Sequence, residues 1–183
     1  MQKPPRTFTL IELLMVMAVI AVLAGLIMAA INFVTTSANK AKTRSQISAL
    51  YIAIKSYESN FGTLPLIPTN GLINPGNGSS GDNNAQYQAL IRYLLPKDSD
   101  NPDGNTRGLT LLVPNAGIAT TPGFVDMWKH DLKVVMTSSG KITAPGIISD
   151  TIYSNVAIWS MGPNGRDDKG STTTPGDDIT SWK

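Results

Sequence analysis

The sequence predicts an α+β protein in which one long N-terminal helix packs on a small antiparallel sheet. The first observation is an apolar run from Phe8 to Ile31, where 21 of 24 residues are Ala, Val, Ile, Leu, Met or Phe. The second is a set of apolar residues at helical spacing between positions 47 and 61. The third is a pair of segments rich in Val, Ile, Tyr and Trp, Leu132–Met136 and Ile152–Met161, which is typical of strands.

The N-terminal part is predicted to be a leader followed by a membrane segment. Residues 1–7 contain Lys3 and Arg6, and positive charges before an apolar run predict that this end stays cytoplasmic. The run is long enough for a helix to cross a hydrocarbon core of ~30 Å. We therefore expect a single-pass helix segment over residues 8–31, with the following domain outside the cytoplasm.

The helix is predicted to continue past the membrane segment as an outer half, residues 32–62. No proline occurs between Pro5 and Pro65, and Gly62 is a plausible C-terminal stop. The apolar residues of the outer half recur at intervals of three and four: Ile47, Leu50, Tyr51, Ile54, Tyr57 and Phe61. Such a stripe must be covered, and the cover must come from a globular domain, residues 63–183.

Within that domain, the segment 66–84 is rich in Gly and Pro and is predicted to be a loop. Ala85–Leu95 has the apolar spacing of a short helix, which Pro96 closes. Leu109–Val113 is a candidate strand. We expect the strands at Leu132–Met136 and Ile152–Met161 to form an antiparallel pair with a long connection.

The composition excludes several classes of protein. The 15 basic and 13 acidic residues give a net charge of +2 without a basic stripe, so nucleic-acid binding is not expected. The chain has no cysteine, which excludes a disulfide framework and thiolate metal sites. The single histidine, His130, has neither a Cys partner nor a G-x-S-x-G motif nearby, so we predict a surface residue and assign no catalytic group.

The start of the apolar run carries a family motif. The segment 8–14 reads F-T-L-I-E-L-L after a short basic leader, and it resembles the class III signal of type IV pilins and type II secretion pseudopilins. The resemblance implies that prepilin peptidase cuts between Thr7 and Phe8 and that Phe8 is then N-methylated. The family cuts after glycine, where this chain has Thr7. The family's helix-breaking proline is replaced by Ala29, which predicts a more continuous helix.

Two further stretches resemble the major pseudopilins. Residues 40–65 match the outer half of the helix, and residues 159–165 with 176–182 match the C-terminal loop. This resemblance implies a pilin-like fold with a calcium loop at 161–178. Residues 126–128 resemble the family's D-P-W-G turn, without its Pro and Gly.

Calcium takes six to eight oxygen ligands, and the 161–178 loop is rich in them. The resemblance implies that Asn164 replaces a family aspartate and that Asp177 and Asp178 are the closing acidic pair. The full set of candidate metal ligands is Asn164, Asp168, Asp177, Asp178 and the main-chain carbonyl of Met161. Asn in place of Asp removes a charge, so weaker binding is expected. The alternative is a solvated polar turn.

Glu12 is the only charge in the apolar run. A carboxylate inside a bilayer is costly and normally has a partner. The resemblance implies an assembly role, in which Glu12 faces the N-terminal amine of a neighbouring subunit and fixes the axial register. The alternative is that Glu12 reaches the lipid headgroups from one turn inside the interface.

The expected function is structural rather than enzymatic: a subunit of a helical pseudopilus that assembles from the inner membrane and serves type II protein secretion. The implied partners are further copies of the chain, prepilin peptidase, the inner-membrane assembly platform, minor pseudopilins and, before assembly, the lipid bilayer. Two alternatives stay open. The chain is a type IV pilus subunit for adhesion, motility or DNA uptake, or a signal-anchored extracytoplasmic binding protein or enzyme that never polymerises.

Overall fold

The computed structural model describes residues 9–65, 72–73, 85–114, 124–143, 151–171 and 176–182. For residues 27–33, 72–73 and 85 it describes the backbone only. The elements are α1 (Leu10–Phe61), β1 (Leu72–Ile73), α2 (Ala85–Tyr93), β2 (Lys133–Met136), β3 (Val156–Ser160) and β4 (Ile179–Thr180). The chain divides into two compact units, residues 1–38 and 39–183. The predicted α+β class is confirmed.

Helix α1 matches the long helix predicted from Phe8 to Phe61 and runs through position 29 without a break. It ends where predicted, because the Gly62 N–H donates to the Glu58 carbonyl (2.8 Å) with φ at 72°. That left-handed conformation favours glycine after a helix. In the part of the chain that the structure describes, no helix has the length and hydropathy that crossing a membrane requires.

The sheet has four strands in the order β1-β2-β3-β4, and each neighbouring pair is antiparallel. The predicted pairing of the second and third strands is confirmed, with Val134 opposite Ile158. Two predictions are wrong, one of a loop and one of a strand. The 66–84 segment, predicted as a loop, contains β1. Leu109–Val113 is not a strand, because its Leu111 N–H donates to the Leu94 carbonyl (3.0 Å), just past α2, and not to a sheet edge.

Both faces of the sheet are covered, which explains why every residue of β3 is buried. Alternate side chains face α1 and α2, in a core that contains Ile47, Leu50, Ile54, Tyr87, Leu90, Ile91, Val134, Met136, Val156 and Ile158. The opposite face is a smaller cluster of Val135, Ala157, Trp159, Ile142 and Ile152, with Trp182 packed against it. The prediction that the stripe of the outer helix is core is confirmed for Ile47, Leu50 and Ile54, whereas Tyr51 and Tyr57 pack against the core partly buried. The predicted short helix at Ala85–Leu95 is confirmed as α2 and ends two residues earlier.

A polar ring connects α1 to the residue before β3. Lys55 Nζ donates to Glu58 Oε2 and to Asn155 Oδ1, both at 2.7 Å. Asn155 Nδ2 donates to Glu58 Oε1 at 2.6 Å. The hydrogen bond from Lys55 lowers the pKa of Glu58, with a smaller contribution from Asn155. The ring fixes the outer half of α1 against the entry to β3.

Candidate functional site

The register of β3 and β4 brings the two ends of the 161–178 loop together. Ser160 lies opposite Ile179, so one step further along each strand Met161 lies opposite Asp178. Gly162 follows with φ at 63°, and a Cβ there would lie 2.5 Å from the Asp177 carbonyl oxygen. Only glycine fits this approach. The local fold therefore places the closing acidic pair directly beside the beginning of the loop.

Three of the predicted metal ligands lie together. The carboxylates of Asp168, Asp177 and Asp178 each offer an oxygen, and these oxygens all lie within 4.8 Å of one another. Asp178 is buried, and the other two are half-buried. Asp178 Oδ2 accepts from the Gly170 N–H (2.7 Å), and Asp177 Oδ2 accepts from the Asn164 N–H (3.3 Å). We call these three residues the acidic cluster.

The acidic cluster has the chemistry of a site for a hard cation. Among the described residues, the second carboxylate oxygens of Asp177 and Asp178 are buried and receive no hydrogen bond. Burial, followed by the charges of Asp167 and Asp168, raises the pKa of Asp178 to about 7, although the Gly170 N–H opposes this shift. Buried acceptors without donors are costly. An oxygen-binding cation such as calcium would satisfy them.

The structure places Asn164, a fourth predicted ligand, at the edge of the cluster. Asn164 Nδ2 donates to Asp168 Oδ2 at 3.2 Å, and Asn164 Oδ1 accepts from the Arg166 N–H at 2.6 Å. The amide therefore turns its NH₂ group toward the carboxylates, and a ligand role requires its oxygen to turn there instead. Met161 is buried and stands between the last residue of β3 and Gly162.

Asp167 belongs to the same loop but serves a different contact. Its Oδ1 accepts from Trp159 Nε1 and from the Lys169 N–H, both at 3.0 Å. Both bonds end on one carboxylate oxygen, so this side chain fastens the middle of the loop to β3. It contributes charge to the surroundings of Asp178.

Asp126, to which the sequence analysis assigned no role, has a buried carboxylate that contacts Ser160, the residue before the loop. The Asp126 side chain is fully buried, and its Oδ1 accepts from the Trp128 and His130 N–H groups (2.8 and 2.9 Å). Its Oδ2 accepts from Ser160 Oγ at 2.6 Å. The available signals were the similarity of residues 126–128 to the D-P-W-G turn and a serine at the end of an apolar strand.

The His130 side chain is 23% exposed, so the predicted surface residue is partly buried. The turn folds back through a bond from the Asp126 N–H to the His130 carbonyl (2.9 Å), which places His130 Nδ1 3.7 Å from Asp126 Oδ2. This group is not arranged as a hydrolytic triad. Ser160 is fully buried and donates to the carboxylate, whereas a triad serine donates to the histidine.

Glu12 lies at the start of α1, where it closes a capping box. Its carboxylate accepts from the Thr9 backbone and hydroxyl, and its own N–H donates back to Thr9 Oγ1. The T-x-x-E spacing at positions 9–12 is the sequence signal for this motif. The predicted cleavage and methylation positions, Thr7 and Phe8, lie outside the described residues.

Comparisons of the chain with models of protein families, with curated proteins and with solved structures give no match.

Proposed function

We propose that the chain is a structural subunit of a helical filament, a pseudopilin with a pilin-like fold that assembles from the inner membrane and serves type II protein secretion. The observation that carries this proposal is the apolar surface of α1. Among the described side chains from Leu10 to Leu26, twelve large apolar ones are each more than half exposed. Apolar surface of this extent is typical of a region that contacts lipid or another protein.

A filament subunit uses this surface twice. Before assembly, residues 8–31 lie in the bilayer, with the N-terminus cytoplasmic and the C-terminal domain periplasmic. After assembly, the same side chains pack against the helices of neighbouring copies. Lipid tails are as apolar as leucine, so hydrophobic burial favours neither state strongly. Close packing and polar contacts therefore select the filament.

Glu12 is the polar contact that we assign to this selection. Cleavage after Thr7 leaves an amine on Phe8, and an amine of one subunit paired with Glu12 of the next fixes their axial offset. The attraction between two unit charges grows as the effective dielectric constant falls, so the pair gains strength in the dry core of a filament. The prepilin peptidase that exposes the amine is thus a required partner, together with the assembly platform and minor pseudopilins.

Calcium is the structural cation that we assign to the acidic cluster. The residues that hold it are Asp168, Asp177 and Asp178, with the Met161 carbonyl and the Asn164 oxygen completing the set. A bound ion would stabilise the loop in a chain that has no cysteine. The acidic loop, in place of a cysteine pair, favours a pseudopilin over a type IV pilus subunit.

The proposal is tested by producing the full chain in a Gram-negative host that carries a type II secretion system and a prepilin peptidase. We expect surface filaments by electron microscopy, and subunits whose intact mass lacks Met1–Thr7 and includes one added methyl group. A membrane-anchored chain that keeps its leader and forms no filament supports the signal-anchored alternative. Filaments that form only with type IV pilus machinery support the pilus alternative.

A further inference from the structure

We propose that Asp126 positions the cation-binding loop through the hydroxyl of Ser160. Asp126 is not a ligand in this proposal, which rests on the calcium site assigned under the proposed function. The residue lies in the turn before β2, far in sequence from the acidic cluster, yet its carboxylate is bonded to the residue at which the loop begins. The role follows from the directions of two hydrogen bonds, one from Ser160 to Asp126 and one from Gly162 to Ser160.

The charge of Asp126 fixes the direction of the Ser160 hydroxyl. An ionised carboxylate only accepts hydrogen bonds, so the hydroxyl proton of Ser160 must point toward Asp126 Oδ2 (2.6 Å). The free lone pairs of Ser160 Oγ then accept from the Gly162 N–H at 3.1 Å. Both contacts are buried, and a bond to an ionised acceptor is about twice as strong as one between neutral groups.

Fixing the Gly162 N–H also fixes the carbonyl of Met161. The two groups belong to one planar trans peptide unit, in which the N–H and C=O point in opposite directions. Because the N–H is held by Ser160, the Met161 oxygen faces away from Ser160. That oxygen is the main-chain member of the proposed ligand set, so Asp126 controls the orientation of a ligand that it does not touch.

Asp126 is itself held rigidly. Its Oδ1 accepts the Trp128 and His130 N–H groups, and the Met127 N–H donates to Thr43 Oγ1 of α1 at 3.3 Å. Thr43 is fully buried. A connected series of hydrogen bonds therefore runs from α1 through the turn and Ser160 to the beginning of the loop, part-buried at the turn and buried at Ser160.

The test measures calcium affinity by isothermal titration calorimetry on the full chain in detergent micelles, with the metal alone as titrant. Asp126→Asn keeps an oxygen for the Trp128 and His130 N–H groups but can turn its NH₂ group toward Ser160. The Ser160 oxygen then accepts a hydrogen bond from residue 126 and no longer donates one to it. Ser160→Ala removes the connection altogether. Loss of a residue that orients a ligand typically weakens metal binding roughly 10- to 100-fold, and we expect a loss in this range from both variants. The double variant should bind no more weakly than the weaker single variant.

Asn155→Ala is the matched control. It breaks the part-buried hydrogen bonds of Asn155 to Lys55 and Glu58, another connection between α1 and the sheet, without changing a residue of the loop. It should lower the Tm of the calcium-free chain and leave calcium affinity unchanged. If Asn155→Ala weakens calcium binding as much as Ser160→Ala does, Asp126 has only a general structural role and the proposal is overturned.

The remaining outcomes separate this proposal from the calcium site itself. Wild-type affinity in both Asp126→Asn and Ser160→Ala overturns the role of Asp126 and leaves the calcium site standing. A wild-type chain with no calcium heat and no calcium-dependent rise in Tm overturns both. Should Asp126→Asn fail to fold, Ser160→Ala, which removes only one oxygen, decides the matter.

Discussion

Glu12 Oε2 accepts two hydrogen bonds from Thr9, one from the backbone N–H at 3.0 Å and one from the hydroxyl at 2.9 Å. The Glu12 N–H returns a bond to Thr9 Oγ1 at 3.3 Å. The carboxylate that we assign to intersubunit pairing is thus already bonded within its own chain. An incoming amine must compete with the two donors of Thr9.

Substitutions at these two positions separate helix capping from assembly. Glu12→Gln keeps an oxygen that can accept from Thr9, because glutamine also serves in a capping box, but it removes the charge. We expect Glu12→Gln to abolish filaments while far-UV circular dichroism keeps its helical signal. Thr9→Ala removes the cap and keeps the charge, so filaments should persist. Normal filaments from Glu12→Gln would contradict the assembly role.

The stability of the domain should depend on pH in opposite ways with and without calcium. The pKa of Asp178 is about 7 in the folded, metal-free chain and has an ordinary value of about 4 in the unfolded chain. Between these values the folded state binds more protons, so calcium-free stability falls as pH rises. Calcium binds the ionised form, so its stabilising effect grows over the same range.

Thermal melts followed by circular dichroism from about pH 5 to about pH 8, in chelator and in excess calcium, measure this effect. Asp178→Asn is the control, since it removes the titrating group and should flatten the fall in chelator. A Tm in chelator that rises steadily toward pH 7 would argue against a raised pKa at Asp178.

Asn164→Asp should have effects of opposite sign with and without calcium. Without the ion, the substitution removes the amide donor to Asp168 and adds a fourth carboxylate to the acidic cluster, so the Tm should fall. With calcium, the new carboxylate supplies an oxygen ligand and a charge, so affinity should rise. Calorimetry and melts on the same samples check both signs. Asn164→Ala, which loses the donor and gains no charge, should weaken binding.

Lys129→Gly should stabilise the domain by about 1 kcal/mol. Lys129 has φ at 68°, a left-handed conformation that costs an L-residue roughly 1–2 kcal/mol. Glycine adopts it without a steric penalty, although it loses more chain entropy on folding. Denaturant unfolding measures the gain, and Lys129→Ala, which keeps the Cβ, should show none.

The helices and the central strand pair were predictable because their signals are local. The stripe from Ile47 to Phe61 fixes the face of α1, and glycine at position 62 fixes its end. Strand β1 was missed because two residues carry no periodicity, and its partner Val135 is more than sixty residues away. Leu109–Val113 has the composition of a strand, but Leu112 is buried in the core and Leu111 bonds to the Leu94 carbonyl.

The candidate metal site was predictable in part. Acidic residues on both sides of a turn between two strands indicate a cluster, and Asp168, Asp177 and Asp178 form one. The role of Asp167 was not visible, since its partner is the indole of Trp159. Asp126 could not be linked to Ser160, because that contact is set by how the turn packs on the sheet. Sequence spacing carries no information on it.

Two of the three tryptophans border the proposed calcium loop. The Trp159 indole N–H is bonded to Asp167, and the Trp182 ring lies so close to Gly170 that a Cβ there would sit 2.5 Å from it. The two rings meet edge to face, 6.1 Å apart. A change of the loop on cation binding would therefore alter the surroundings of both indoles, and intrinsic fluorescence emission can follow that change in the unlabelled chain.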